Sequence, residues 1–335
     1  MAWNQENNVI VAYVGLTVMA LIPIVMGSLA SLQESKKADG ESQAERMASS
    51  DAYLFPLIGS ATLFGFYLVF KYFNPDYINL LLTAYFSFFG VYALASTNEQ
   101  LLSFVLPLRV MDFGSFWVKL GGTAAKPKWH FKVTVVKGVC WAVASGLTAY
   151  YVYTKNWVAS NCLAMAFATS AITLIHLDSF KTGAILLSGL FLYDIFWVFG
   201  TNVMVKVAKS FDVPVKLLFP KTLNFVSPKA NEFCLLGLGD IVIPGVFVAL
   251  CHRFDDFLPK QGKKVSFYQL ALVFYTLGLA TTMAVMHVFK AAQPALLYLS
   301  PACLLAVFLG GLLNGNLQQV FSFEADSQDI TGKNG

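Results

Sequence analysis

Two aspartates, Asp194 and Asp240, each lie near the middle of a long hydrophobic stretch of this 335-residue chain. The first stretch covers residues 182–208 and the second covers residues 233–252. An ionised carboxylate at the centre of a bilayer costs several kcal/mol, so such a residue usually has a function. Two of them on successive stretches require one joint explanation.

Two neighbouring carboxyl groups can hydrolyse an amide by acid–base chemistry. Because like charges repel, a close pair holds one proton between them at neutral pH. The ionised partner can take a proton from a water molecule, which then attacks the scissile carbonyl, while the protonated partner polarises the carbonyl oxygen. The pair titrates as one unit, so the sequence does not assign the proton to either aspartate.

The composition is that of an all-α polytopic membrane protein. Hydrophobic residues make up 57% of the chain and charged residues 13%, with a mean hydropathy of +0.62. Soluble domains carry about 25% charged residues. The net charge of +4 is modest, and no basic cluster is interleaved with aromatic residues in a polar context. We therefore expect a lipid bilayer around the protein and no nucleic-acid partner.

Stretches of about 20 apolar residues are long enough to cross a bilayer as a helix. The sequence predicts nine transmembrane helices, at residues 9–32, 53–70, 77–95, 133–153, 157–177, 182–208, 233–252, 266–289 and 294–314. Residues 101–116 are apolar too, but Pro107, Arg109 and Asp112 interrupt them. We predict an interfacial or re-entrant segment there. Residues 1–181 then form an N-terminal scaffold of five helices, and residues 182–335 form a second membrane region.

The basic residues favour one orientation in the membrane. With a lumenal N-terminus and a cytoplasmic C-terminus, 15 of the 23 Lys and Arg residues fall on the cytoplasmic side, as the positive-inside rule requires. The sixth and seventh predicted helices then run in opposite directions. Counting about 1.5 Å per residue, both Asp194 and Asp240 lie roughly 18 Å from the cytoplasmic end of their helices. Antiparallel neighbours would bring the two carboxylates to one level.

The residues around the acids have ordinary explanations as well. Gly237 and Gly239 allow another backbone to approach Asp240, but plain helix packing explains them equally well. Tyr193 either packs or hydrogen-bonds near the acids, or it is ordinary core. Pro294 suits the first position of a helix, which is the explanation that the physics alone favours.

The segment between the two acid-bearing stretches is too broken to span a membrane. Residues 210–232 contain Pro214, Pro220 and Pro228. A transmembrane substrate hides its amides inside a helix, so hydrolysis requires local unwinding, and the freed N–H and C=O groups need partners. An extended segment in this part of the chain could supply them by pairing with the peptide.

Three motifs, in this order, resemble those of the presenilin-type GxGD family of intramembrane aspartyl proteases. They are Tyr193-Asp194, Gly237-Leu238-Gly239-Asp240 and Pro294-Ala295-Leu296. Within that family the chain is similar to the signal peptide peptidase branch. The resemblance is strongest over residues 191–209, 235–245 and 286–299.

The resemblance implies a presenilin-like fold in which residues 182–335 form the catalytic membrane region. It implies Asp194 and Asp240 as the catalytic residues, and a site shaped by Tyr193, Gly237, Leu238, Gly239, Pro294, Ala295 and Leu296. For Pro294 it replaces the ordinary explanation given above. It also implies an endoplasmic reticulum enzyme that cuts remnant signal peptides and other type II oriented transmembrane segments.

Other functions are weaker explanations of the sequence. A proton-coupled transporter also uses paired intramembrane aspartates, but it predicts inverted repeats, and the chain shows no such symmetry. A serine protease is disfavoured because the segment around Ser145 lacks the first glycine of a Gly-x-Ser-Gly nucleophile. A catalytically silent chaperone of the same fold stays open, as do a homo-oligomer and adaptor proteins. Neither HExxH nor CxxC occurs, so we expect no metal and no other cofactor.

Overall fold

The fold of this chain is built mainly from helices. The computed structural model describes residues 2–37, 44–123, 126–221, 233–258, 264–289 and 293–324. The helices within these residues are α1 (Ala2–Ser35), α2 (Ser49–Tyr72), α3 (Pro75–Val105), α4 (Leu108–Met111), α5 (Val135–Thr154), α6 (Trp157–Leu174), α7 (Phe180–Phe199), α8 (Val203–Ser210), α9 (Gly239–Phe257), α10 (Phe267–Phe289), α11 (Leu296–Asn314) and α12 (Leu317–Ser322).

Six short strands form three two-stranded sheets among these helices. The strands are β1 (Glu45–Met47), β2 (Phe116–Thr123), β3 (Lys126–Val133), β4 (Ile175–Leu177), β5 (Lys216–Pro220) and β6 (Phe233–Gly237). β1 pairs with β4 in parallel, whereas β2–β3 and β5–β6 are antiparallel. The β5–β6 pair, which runs from Lys216 opposite Gly237 to Pro220 opposite Phe233, lies directly before α9 in the chain.

In the described part of the chain, eight helices are long and apolar enough to cross a membrane: α1, α2, α3, α5, α6, α7, α10 and α11. This confirms a polytopic helical membrane protein but not the predicted count of nine. The seventh predicted span is strand β6 over residues 233–237 and becomes helical only at Gly239. Helix α9 also carries Asp240, Arg253, Asp255 and Asp256, which makes it less apolar than the other eight.

The fold also tests two other boundaries predicted from the sequence. The predicted span over residues 182–208 ends as a helix at Phe199, and the short helix α8 follows after Gly200, Thr201 and Asn202. Glycine and asparagine are weak helix formers, which explains the break. Residues 101–116 hold the end of α3 and the four-residue helix α4, so they contain no tenth span.

Helix α9 lies in the centre of the main hydrophobic core. Its residues Val246, Phe247, Val248, Ala249, Leu250 and Cys251 are each at most 1% exposed. Helices α1, α6, α7, α10 and α11 pack around it. A smaller second core joins α3, α5 and α6 around Leu163 and Tyr151. Because α9 begins at Gly239, its packing also determines where Asp240 lies.

Helices α7 and α9 approach each other closely at Gly183. A Cβ atom added at Gly183 would lie 2.7 Å from Cδ2 and 2.8 Å from Cε2 of Phe247. The Phe247 ring is buried at 1% exposure, so it has little room to move. Small residues allow transmembrane helices to pack at short distance, and here the two helices are those that carry Asp194 and Asp240.

We predict that Gly183→Ala lowers the free energy of unfolding by about 1–3 kcal/mol, because the added methyl group overpacks a filled interface. Thermal unfolding of the purified protein in detergent measures the change. Gly146→Ala is the matched control, since an added Cβ at Gly146 meets nothing within 4 Å. Equal unfolding temperatures for the two variants would contradict the close contact of α7 with α9.

His176 is buried two residues beyond the end of α6, in strand β4, and is 5% exposed. Its Nε2 atom lies 3.0 Å from the Ser31 hydroxyl oxygen. Burial, followed by the nearby positive charge of Arg253, lowers the pKa of His176 to about 3, and Arg46 acts in the same direction. The imidazole is therefore neutral in the folded protein at pH 7.

We predict that His176 makes the fold less stable in mild acid. The unfolded chain binds a proton at this residue below about pH 6.5, whereas the folded chain does so only near its pKa of about 3. Stability should fall by about 2 kcal/mol between about pH 7 and pH 5 from this residue alone. Unfolding temperatures measured across this range should fall less steeply for His176→Gln, and His287→Gln, at an exposed imidazole, should match the unsubstituted protein.

Candidate active site

Asp194 lies in the second half of α7 and is 3% exposed. Its Oδ2 atom accepts a hydrogen bond of 3.0 Å from the backbone N–H of Leu296, the first residue of α11. Helix α7 begins at Phe180, after Ser179 caps it by accepting the Thr182 N–H. The bond to Leu296 therefore ties the acid of α7 to the start of α11, about 100 residues later in the chain.

Asp240 occupies the first turn of α9, directly after strand β6. The prediction that placed it near the middle of a helix was wrong, because residues 233–237 are extended. Its backbone carbonyl accepts the Tyr275 hydroxyl at 3.4 Å. The Asp240 carboxylate interacts electrostatically with Asp194 and with the backbone of Gly237. The structure therefore places the two predicted acids near enough to interact electrostatically.

The two acids keep nearly matched positions along their helices. At about 1.5 Å per residue, Asp194 lies roughly 21 Å from the first residue of α7, and Asp240 lies roughly 26 Å from the last residue of α9. The predicted value was roughly 18 Å for both. The difference arises because α7 begins before residue 182 and α9 extends beyond residue 252.

Glycine at position 237 leaves room for the Asp240 carboxylate. A Cβ atom at Gly237 would lie 3.3 Å from Asp240 Oδ2. At Gly239, by contrast, an added Cβ meets nothing within 4 Å, so that side of the turn is open. Between them Leu238 donates its N–H to the Val215 carbonyl at 3.2 Å and continues the β5–β6 ladder. The motif is thus a strand end followed by a helix start.

The segment Pro294-Ala295-Leu296 is buried beside the acids. Helix α11 begins at Leu296, and the Ala295 carbonyl accepts the N–H groups of Tyr298 and Leu299, both at 3.1 Å. Pro294 therefore precedes the helix by two positions, and the ordinary explanation of Pro294 as a first helical residue was wrong. Leu296 lies in the first turn of α11, where N–H groups have no partner within the helix, so its N–H is free to bond to Asp194.

Tyr193 lies at the contact between α7 and α2. A Cβ added at Gly59 of α2 would lie 3.6 Å from the Tyr193 ring, and the ring centroid is 6.4 Å from that of Trp197. The side chain is half-buried. Among the predicted site residues it is the one whose contacts in the structure point to helix packing.

A cavity of about 580 Å³ opens beside Asp240. Strand β6 forms one wall with residues 233–236, and Ala295 lies on its border. Tyr13 and Leu16 of α1 and Met283 of α10 close other sides. The lining is mostly apolar, which suits the side chains of a membrane-embedded peptide. The described residues do not gather three His, Cys, Asp or Glu side chains that could hold a metal ion.

Sequence analysis missed Asn161, a buried polar residue in the second turn of α6. Its side chain hydrogen-bonds to both backbone groups of Leu218 in strand β5. An amide inside an apolar span is a signal that could have identified it, since such groups usually bond to a neighbouring element. The sequence did not indicate which element that would be.

Comparisons with known proteins identify the family. Residues 39–327 match the family model described as signal peptide peptidase. The chain is 41% identical over 323 residues to human signal peptide peptidase, covering 96% of this chain and 85% of the human protein; the mouse protein gives the same values. A probable intramembrane protease of Schizosaccharomyces pombe is 36% identical over 318 residues, covering 93% and 94%. The family resemblance is confirmed, and the chain belongs to the signal peptide peptidase family of intramembrane proteases.

Proposed function

We propose that this protease is of the aspartyl type, with Asp194 and Asp240 as its catalytic residues. The observation that carries the proposal is the interaction of the buried Asp194 carboxylate with the half-buried Asp240 carboxylate, which lines an apolar cavity. Like-charge repulsion between the two carboxylates favours a state in which one of them holds a proton. That state provides a base for water and an acid for the substrate carbonyl at the same time.

The reaction follows from the two protonation states. The ionised carboxylate takes a proton from water, and the hydroxide oxygen bonds to the scissile carbonyl carbon, while the protonated carboxyl gives its proton to the carbonyl oxygen. The C–N bond then breaks as a proton passes to the amide nitrogen. Oδ2 of Asp194 is engaged by the Leu296 N–H. Oδ1 is therefore the Asp194 oxygen left to share the proton or to contact water.

Strand β6 supplies an edge to which an unwound substrate segment can add. The bond from the Leu238 N–H to the Val215 carbonyl identifies residues 215 and 238 as a hydrogen-bonded pair. In an antiparallel ladder such pairs alternate, so Leu235 directs its N–H and C=O away from β5. No other strand pairs with that side within the described residues. A peptide added there would lie along the cavity beside Asp240.

Substrate class, orientation and location follow from the family and from the charge pattern. We propose type II oriented transmembrane segments as substrates, notably remnant signal peptides, in the endoplasmic reticulum membrane. The relatives named above are signal peptide peptidases and a probable intramembrane protease. The excess of basic residues on one side supports a lumenal N-terminus and a cytoplasmic C-terminus. A boundary at residue 181 between scaffold and catalytic region, and any oligomer or adaptor, remain predictions.

The transporter alternative lacks an observation in its favour. Both the family and the site, in which a cavity and a strand edge adjoin the acids, fit hydrolysis of an extended peptide. Proton-coupled transport would instead need the acids at the interface of two structural repeats.

We predict that Asp194→Asn and Asp240→Asn each abolish cleavage of a labelled transmembrane peptide by the purified protein. Either change removes the shared proton, and the rate should fall by roughly a thousandfold or more. Stability should hold or rise, because a costly buried acid has been removed. Mass spectrometry of the products and thermal unfolding of the same preparations measure the two effects.

Asp212→Asn is the control for this experiment. Asp212 is an exposed aspartate that pairs with Lys155 at 3.6 Å, so its replacement should leave the cleavage rate unchanged. Cleavage by a folded Asp194→Asn or Asp240→Asn variant at the unsubstituted rate would exclude the aspartyl mechanism. Unfolding of either variant would show that the residue is required for the fold instead.

A further inference from the structure

Asn161 binds one residue of strand β5 with both ends of its side-chain amide. The Nδ2 group donates to the Leu218 carbonyl at 2.7 Å, and Oδ1 accepts the Leu218 N–H at 2.8 Å. The side chain is 3% exposed and projects from the second turn of α6. A planar amide that makes two short bonds to the N–H and C=O of one residue fixes both the distance and the orientation of the backbone at that residue.

The position of Leu218 in the ladder explains why this pairing is available. Residues 215 and 238 are a hydrogen-bonded pair, so the alternation of the ladder directs the N–H and C=O of Leu218 away from β6. Asn161 therefore takes the place of a third strand at the outer side of β5. The two sides of the hairpin differ: β5 is closed by α6 at this residue, whereas β6 faces the cavity.

A continuous series of bonds leads from Asn161 to the first turn of α9, which carries Asp240. Asn161 holds Leu218, the ladder joins β5 to β6, and the bond between Leu238 and Val215 closes the ladder one residue before α9 begins. Asp240 is the second residue of α9. Movement of β5 along its own axis would therefore move the first turn of α9 and the edge of β6 together.

We propose that Asn161 is a positioning residue for proteolysis, through which α6 sets the register of the β5–β6 hairpin against Asp240. The inference rests on the proposed function, because it assumes that Asp240 acts on a peptide laid along β6. Asn161 touches neither the acids nor the substrate segment. It acts through Leu218.

The hairpin has enough apolar packing to stay folded without this amide. Leu217 is fully buried, and the hairpin packs against α1 and α6. Apolar packing is not directional, so it constrains the position of the hairpin along the strand axis less tightly than the two bonds from Asn161 do. Loss of Asn161 should therefore affect the rate and the position of cleavage more than it affects folding.

The test compares Asn161→Leu, which keeps the size of the side chain and removes both bonds, with Thr169→Val. Thr169 is a buried residue of the same helix whose hydroxyl bonds to Met165 of its own helix at 2.9 Å. With purified full-length protein and a labelled transmembrane peptide, Asn161→Leu should lower kcat by roughly tenfold to a hundredfold and change KM less. Mass spectrometry should show cleavage spread over more peptide bonds. Thr169→Val should match the unsubstituted protein in both respects.

Asn161→Asp provides a second test, in which the same variant is measured at different pH values. A protonated carboxyl donates from O–H and accepts at C=O and so reproduces both bonds to Leu218, whereas an ionised carboxylate repels the Leu218 carbonyl. The kcat of Asn161→Asp divided by that of the unsubstituted protein at the same pH should rise as the pH falls. The ratio for Asn161→Leu should stay constant.

The outcomes separate this inference from the proposed function. Cleavage by folded Asp194→Asn would end the aspartyl proposal whatever Asn161 does. If that variant is inactive, but Asn161→Leu keeps the normal kcat and cleavage positions, the positioning role alone is overturned. A ratio for Asn161→Asp that does not change with pH would overturn it as well, including when Asn161→Leu fails to fold.

Discussion

Extended backbone inside a membrane protein needs a partner for every amide and carbonyl, and this constraint organises the site. Most of the chain meets it with helices, whose backbone groups bond within the helix. Strands β5 and β6 meet it through each other and, on the outer side of β5, through Asn161. Strand β6 ends at Gly237, so Asp240 stands where extended backbone becomes helix.

The acids are brought together by elements far apart in sequence. Close packing at Gly183 holds α7 against α9, and the Leu296 amide joins α11 to Asp194. The motif residues therefore have different roles. In the proposed reaction Asp194 and Asp240 carry the chemistry. Gly237 and Leu238 shape the strand end beside Asp240, and Ala295 and Leu296 bring a free amide to the other acid.

Length and hydrophobicity predicted the membrane class and most helices, because about 20 apolar residues in succession have few other uses. Motif order predicted the family and which acids meet. The strand at residues 233–237 was missed because a short buried strand and a buried helix have the same apolar pattern. That error placed Asp240 in mid-helix. Pro294 was misplaced by two residues, and the partner of Asn161 was not predicted, because side-chain pairing between distant segments leaves no local pattern.

The side of β6 that faces away from β5 has a consequence for how the enzyme selects among peptides. Main-chain groups such as those of Leu235 are too costly to leave unpaired against hydrocarbon, so the proposed peptide edge requires water in the cavity whenever no peptide is bound. A peptide that adds to β6 replaces hydrogen bonds to water with equivalent bonds to its own backbone. The net gain in free energy per hydrogen bond is therefore small. Main-chain pairing is also indifferent to side-chain identity. Such a site captures many unrelated chains weakly, and discrimination falls to the ease with which each chain gives up its own helix.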